Sequence, residues 1–188
     1  MTPLLEKYVK FTKKWEGGLS RDKSDSCSKL PCPTPFNGKT GFHTNAGICY
    51  STWVAHFGKD NDARFYAMNS ADWFDIFKEG YWDGVKGDLY TSQNVAIFVT
   101  GMAWGSGVKQ ASKSLQVAIN HCGVKCEIDG VIGNKTIACA NSIEPRKLFD
   151  ALVEERRRFF YAIGVGKNAK FLTGWLNRLN DYQFTFRP

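Results

Sequence analysis

The clearest chemical potential in this chain lies at Trp15-Glu16-Gly17-Gly18, where one carboxylate stands between an aromatic ring and two glycines. It follows a run in which Leu4, Leu5, Tyr8, Val9, Thr12 and Trp15 recur at helical spacing. Glycine ends helices because it takes positive φ without steric cost. Glu16 is therefore expected on the last turn of a rigid element, where the backbone turns away. An aromatic neighbour and partial burial favour the neutral carboxyl, and a carboxyl still protonated near neutral pH is a general acid. The plainer alternative is a solvated glutamate at a helix C-terminus, where the helix dipole disfavours negative charge. Asp22 and Asp25 follow shortly after, and Thr44 and Asn45 sit in the small, polar, turn-prone stretch Gly41–Ile48.

The elements that must hold these groups are mostly helical by periodicity. Thr2 as N-cap with Pro3 at the first helical position starts the first helix, and Gly17-Gly18 stops it. Residues 19–41 are rich in Ser, Asp, Lys, Pro and Gly and read as a long loop, with short turns or a hairpin. Helices are expected over Ser51–Phe57, near Asp60–Met68, and over Ala71–Glu79 with Ser70 as N-cap and Trp73, Phe74, Ile76 and Phe77 inward. The apolar run Val95–Trp104 reads as a buried helix. Its Gly101 and Gly105 imply either close helix packing or a break near Gly105. Lys109–Cys122 is amphipathic, with Leu115, Val117, Ala118 and Ile119 inward. A turn over Glu127–Gly133 precedes a short helix at Asn134–Asn141, capped by Asn134. Glu144-Pro145 opens a long helix to Ile163 with a stripe of Leu148, Phe149, Leu152, Val153 and Phe159/Phe160, and a last helix spans about Asn168–Asp181. No strong strand alternation occurs, so the fold class is mainly α.

Composition narrows the function classes. A chain of 188 residues with 43% hydrophobic and 14% aromatic content is a packed globular protein rather than a disordered one. No apolar run reaches the length of a membrane span, so no stable membrane insertion is expected. Lysines threaded through residues 1–14 do not make a secretory signal peptide. The net charge of +7 favours a polyanionic partner: nucleic acid, anionic lipid or an acidic cell envelope. No zinc-finger, RNA-recognition or phosphate-loop signature supports nucleic acid. The basic cluster Arg156-Arg157-Arg158 beside Glu154-Glu155 reads as an exposed helix face.

Six cysteines show no paired metal-site spacing, and His43 has no ligand partner, so neither metal nor cofactor is expected. Cys27 and Cys32 flank a Pro-containing loop and are expected to pair. Among Cys122, Cys126 and Cys139 a pairing is open, and Cys139, in an apolar helical run, is expected as a free thiol.

Several segments then match a known family. Trp15-Glu16-Gly17-Gly18 resembles the E-G-G motif of the glycoside hydrolase family 108 muramidases, and Thr44-Asn45-Ala46-Gly47-Ile48 resembles their T-N-x-G-I segment. Tyr81-Trp82-Asp83-Gly84-Val85-Lys86-Gly87-Asp88 is similar to their Y-W-D-x-x-x-G-D segment. Asp129–Thr136 resembles the D-G-x-I-G-x-x-T turn of a predicted peptidoglycan-binding region, and Gly174–Arg178 a closing G-W-x-x-R helix. The resemblance implies a lysozyme-like helical fold of two lobes with a cleft. It implies a catalytic region over 1–92 and a peptidoglycan-binding-like region over 93–188, packed into one globule. The activity implied is cleavage of the bond between N-acetylmuramic acid and N-acetylglucosamine in peptidoglycan. A monomer is expected, made in the cytoplasm and released to the wall as a phage or prophage endolysin.

On this resemblance Glu16 is the acid. Glycoside hydrolysis also needs a second group, for which Asp25 and Asp22 are candidates, and Thr44 is a candidate to orient water. The alternative for both aspartates is turn chemistry. Substrate contacts are expected from Asp22, His43, Asn45, Tyr81, Trp82 and Trp104, with Tyr50 and Trp53 as further possible sugar walls. Core packing is the competing role for the aromatic residues. The chain departs from the family pattern in a longer insert carrying Cys27, Cys32 and three prolines, in Leu19 at a usually aromatic position, and in Gly101 and Gly105 where Asp and Asn are usual. Those glycines motivate an alternative function, a catalytically impaired protein that binds wall glycan. A basic protein acting on envelope polyanions by charge alone is a third possibility.

Overall fold

Thr2 opens the first helix. Its Oγ1 accepts from Leu5 N at 3.3 Å, and Pro3 lacks the N–H that would otherwise be orphaned there. In the computed structural model described here, residues 2–16, 18–19, 31–36, 39–42, 44–59 and 62–188 are described. Helix α1 runs Pro3–Glu16 and buries Leu5, Tyr8, Val9, Phe11 and Thr12, while Leu4 is half-buried. The described residues form a mainly α, lysozyme-like fold with two short hairpins. They divide into two compact units, Met1–Lys78 and Glu79–Pro188.

In the first unit, β1 (Pro31–Phe36) pairs antiparallel with β2 (Lys39–Phe42), Pro31 opposite Phe42 and Phe36 opposite Lys39. The ladder is irregular between Cys32 and Phe36, where Pro33 and Pro35 have no N–H to donate. A second hairpin joins β3 (Thr44–Asn45) to β4 (Ile48–Cys49). Its two turn residues, Ala46 and Gly47, take φ of 48° and 80°, the double positive φ of a type I′ hairpin turn. Helices α2 (Tyr50–Phe57), α3 (Asp62–Tyr66) and α4 (Ser70–Phe77) follow. The cap of α4 is Asn69 rather than Ser70. Asn69 Oδ1 accepts from Ala71 N and Asp72 N, and Asp72 Oδ2 accepts in return from Asn69 N, a reciprocal capping box. The core of this unit is aromatic. Trp73 stacks on Phe77 with centroids 5.1 Å apart, Phe77 meets Tyr8 at 5.3 Å, and Phe65 takes the edges of Tyr50 and Trp53.

A π-helical turn over Lys78–Trp82 follows α4. In the second unit, α5 (Gln93–Ser106) is buried on every face from Val95 to Thr100, as a helix apolar all round must be. It ends at Ser106, which is the break expected near Gly105, and Gly107, with a φ of 81°, lets one residue close α5 and open α6 (Val108–His121). Helix α6 turns Ala111, Leu115, Ala118 and Ile119 inward, with Val117 only half-buried. Next comes α7 (Asn134–Asn141), whose N-cap is Gly133, so Asn134 is its first helical residue and not its cap. Helix α8 (Pro145–Ile163) is capped by Glu144, whose carboxylate accepts from Arg146 N and Lys147 N. Helix α9 (Ala169–Phe186) runs one turn beyond the expected end, because Tyr182 and Phe186 continue its buried stripe. Phe98 of α5 sits between Phe149 and Tyr182, with centroids at 5.0 and 4.9 Å. No described helix is long and apolar enough to cross a membrane.

The basic cluster on α8 is not wholly exposed. Arg156 is buried, because it falls four residues after Leu152 and four before Phe160 on the inward stripe. Its Nη1 donates to Ser106 Oγ at 2.8 Å, and its guanidinium lies 4.4 Å from the Phe160 ring centroid. A Cβ on Gly105 would stand 2.9 Å from Arg156 Nη2. Gly105 itself is exposed, and its near neighbour is the end of that side chain rather than another helix.

Candidate active site

Glu16 is the final residue of α1 and half-buried. The turn that carries it is held in two ways. The Trp15 ring reaches back to Phe11, four residues earlier, with centroids 6.4 Å apart. Lys13 Nζ donates to Ser70 Oγ at 2.9 Å, tying the same turn to the start of α4. Glu16 thus stands at the end of a turn tied to the start of α4, and catalysis of bond cleavage favours groups held in position.

Thr44 and Asn45 occupy β3, and successive strand residues leave on opposite faces. Asn45 turns toward α3, where its Nδ2 donates to Phe65 O at 2.8 Å and to Tyr66 O at 3.4 Å. Trp73 Nε1 donates to Ala46 O at 3.0 Å. The T-N-A-G-I hairpin is thus pinned to α3 by one residue and to α4 by the next, and these bonds hold Thr44 half-buried on the other face. Asp22, Asp25 and His43 lie outside the described residues, as do the side chains of Cys27 and Cys32.

Tyr81 and Trp104 are brought together in the second unit. Their centroids are 4.9 Å apart at 56°, and both rings are half-buried. Trp82 is different. It is buried, its Nε1 donates to Asp88 Oδ1 at 2.9 Å, and a Cβ on Gly87 would come within 2.3 Å of its ring. The Y-W-D-x-x-x-G-D segment is therefore a folding device that locks Trp82 over Gly87. Tyr50 and Trp53 are likewise core residues, and the Tyr50 hydroxyl donates to Asp62.

The Asp129–Thr136 segment is clamped by a residue that motif matching passes over. Gln116, buried on α6, donates from Nε2 to Asp129 Oδ1 at 2.6 Å and to Val131 O at 3.0 Å. Its Oε1 accepts from Gly130 N at 2.9 Å. Asp129 Oδ1 also accepts from Val131 N at 2.8 Å, and these bonds, Gln116 first, hold its carboxyl below the usual range. The side chains of Lys109 and Lys113 lie over Gly130. The available signal was spacing: Ser112, Leu115, Gln116 and Ile119 share the buried stripe of α6.

With that geometry in place, known proteins offer a comparison. The family model described as glycosyl hydrolase 108 matches residues 9–107, a span that holds Glu16, the T-N-A-G-I hairpin, Tyr81 and Trp104. The model described as predicted peptidoglycan domain matches residues 110–180. Helix α5 thus belongs to the first family segment by sequence and to the second compact unit by packing. Among solved structures, that of Brucella abortus SagA is similar with a TM-score of 0.74 and 26% identity, covering 98% of this chain and 95% of that one. No curated protein matches the sequence. The chain belongs to glycosyl hydrolase family 108, and it is a glycoside hydrolase whose partner is peptidoglycan.

Proposed function

We propose that this hydrolase is an N-acetylmuramidase. It cuts the β-1,4 bond between N-acetylmuramic acid and N-acetylglucosamine, with Glu16 as general acid. The observation that carries the reading is the placement of a half-buried carboxyl on the anchored last turn of α1, inside the span matched by the hydrolase family. In this mechanism Glu16 delivers its proton to the glycosidic oxygen as the bond from C1 to that oxygen breaks. Water completes the reaction at C1, oriented by Thr44, and Asp25 or Asp22 supplies the second carboxylate. Tyr81 and Trp104 form a paired aromatic wall for a sugar face, with His43 as a further contact. Asn45 and Trp82 act on substrate indirectly, by holding the hairpin and the turn that carry their neighbours.

The alternative, a chain that binds glycan without cutting it, draws on Gly101 and Gly105. Gly105 has its own reason to be glycine, since Arg156 occupies the space of a side chain there. One assay separates the two. Purified protein is incubated with purified peptidoglycan and the products are identified by mass spectrometry. Fragments with reducing muramic acid ends are expected, with Glu16→Gln slowed about 100-fold or more while circular dichroism stays unchanged. Reducing glucosamine ends, intact glycan, or an undiminished rate in Glu16→Gln would each refute the assignment.

A further inference from the structure

The three cysteines of the second unit are free thiols, but they are not equivalent. Cys126 is fixed through its backbone by one side chain. Asn120 Oδ1 accepts from Cys126 N at 3.1 Å, and Asn120 Nδ2 donates to Cys126 O at 2.7 Å. The Cys126 thiol donates to Glu127 O at 3.6 Å and interacts with Thr136 and Cys139, which are three residues apart on α7. From the other side, Cys139 Sγ lies 3.7 Å from Lys125 O, the carbonyl just before Cys126. Both cysteines are half-buried, in a segment and a helix that are each anchored independently of them. Cys122 points elsewhere, with its Sγ 3.8 Å from Lys147 O at the start of α8.

A thiol that lies against the carbonyl just before another cysteine, and interacts with that cysteine's thiol, is a candidate partner for a disulfide. Peptidoglycan lies outside the cytoplasmic membrane, where disulfides persist. We propose that Cys126 and Cys139 are a disulfide-forming pair, which staples the segment carrying the Asp129-Gly130 turn to α7 under oxidising conditions. The chemistry is thiol–disulfide exchange with a small disulfide such as oxidised glutathione. One cysteine thiolate attacks the oxidant and releases one glutathione, leaving a mixed disulfide. The second thiolate displaces the other glutathione. The protein loses two electrons and two protons, and one molecule of oxidant becomes two thiols. Burial raises the Cys126 thiol above its ordinary value, so the exchange quickens as pH rises.

The sequence makes the test direct, because trypsin cuts after Lys113, Lys125, Lys135 and Arg146 place Cys122, Cys126 and Cys139 on separate peptides. The full chain is incubated with oxidised glutathione, remaining thiols are alkylated, and the digest is read by mass spectrometry. The expected product is the peptide of Cys126 linked to that of Cys139, lost on reduction, with Cys122 alkylated. The thermal midpoint of the oxidised chain is expected to rise by several degrees over the reduced one, and Cys139→Ser to abolish both the link and the rise. Glutathione adducts or alkyl label alone on Cys126 and Cys139, or either one linked to Cys122, would overturn the pairing. A link without a rise in the midpoint would overturn the staple. The wild-type peptide map decides the pairing even if the variant fails to fold.

Discussion

Gln116 and Asp129 are joined by a 2.6 Å bond from the amide Nε2 to the carboxylate Oδ1, and the same amide accepts from the next backbone N–H, of Gly130. One buried side chain thereby satisfies a turn that the short helices around it cannot. Gln116→Leu keeps the volume and the apolar stripe but orphans the buried Gly130 N–H. Leaving a buried donor unpaired costs about 1–3 kcal/mol, and the loss is expected as a lower urea midpoint with unchanged slope. An unchanged midpoint would show that the turn holds itself.

Gly87 and Trp82 give a sharper case. The Trp82 ring is buried and tied to Asp88, so it has nowhere to retreat from a Cβ only 2.3 Å away. Gly87→Ala is expected to destabilise the chain by about 3 kcal/mol, the upper range for overpacking. Near-UV circular dichroism would report the displaced indole. A variant with wild-type stability and spectrum would refute the contact.

Arg156 and Gly105 predict a change of sign. Alanine in place of glycine in a helix gains about 1 kcal/mol on propensity alone. At Gly105 the new Cβ displaces a guanidinium bonded to Ser106 and seated on Phe160, so Gly105→Ala is expected to lower stability. In an Arg156→Met background, where the guanidinium is gone, the same substitution is expected to raise it. A double-mutant cycle by chemical unfolding measures the coupling, and additive effects would refute it.

Asp72 links the acid side of the stability profile to α4. Arg64 Nη2 bonds its Oδ1 at 2.5 Å and holds the carboxyl below the ordinary aspartate range, with a further contribution from Asn69 N. The unfolded chain carries the ordinary value, about 3.9. The stabilisation is therefore complete above that value and is lost as pH falls through the lower folded one. Asp72→Asn is expected to flatten the acid limb of stability against pH and leave its neutral-to-alkaline shape alone. Asn69→Ala removes the cap itself and is expected to cost about 1 kcal/mol at neutral pH.

Much of the fold was legible because local rules and tertiary packing agree. Thr2-Pro3 starts α1 and Glu144-Pro145 starts α8, since caps and prolines act within one turn of themselves. The errors fall where a partner distant in sequence decides. Arg156 looked solvated beside Arg157 and Arg158, yet its stripe position drew it against α5. Gly105 marks the end of α5 to within one residue, yet the guanidinium beside it lies 51 residues later in the chain. Ser70 and Asn134 each stand one residue after the observed cap: at α4 the Asn69 side chain closes a box with Asp72, and at α7 Gly133 caps through its extended backbone alone.

The candidate site divides the same way. The sequence alone determined the family resemblance, a glutamate at the end of a helix, a turn-prone stretch over Gly41–Ile48, and a mainly α chain, because each is written in residues a few positions apart. Only the tertiary structure decided that Asn45 and Trp82 spend their polar groups on scaffold, that Tyr81 and Trp104 meet, and that Cys139 lies against the carbonyl before Cys126. Those outcomes depend on which distant atoms satisfy a buried donor or fill a space, and neither spacing nor composition carries that information.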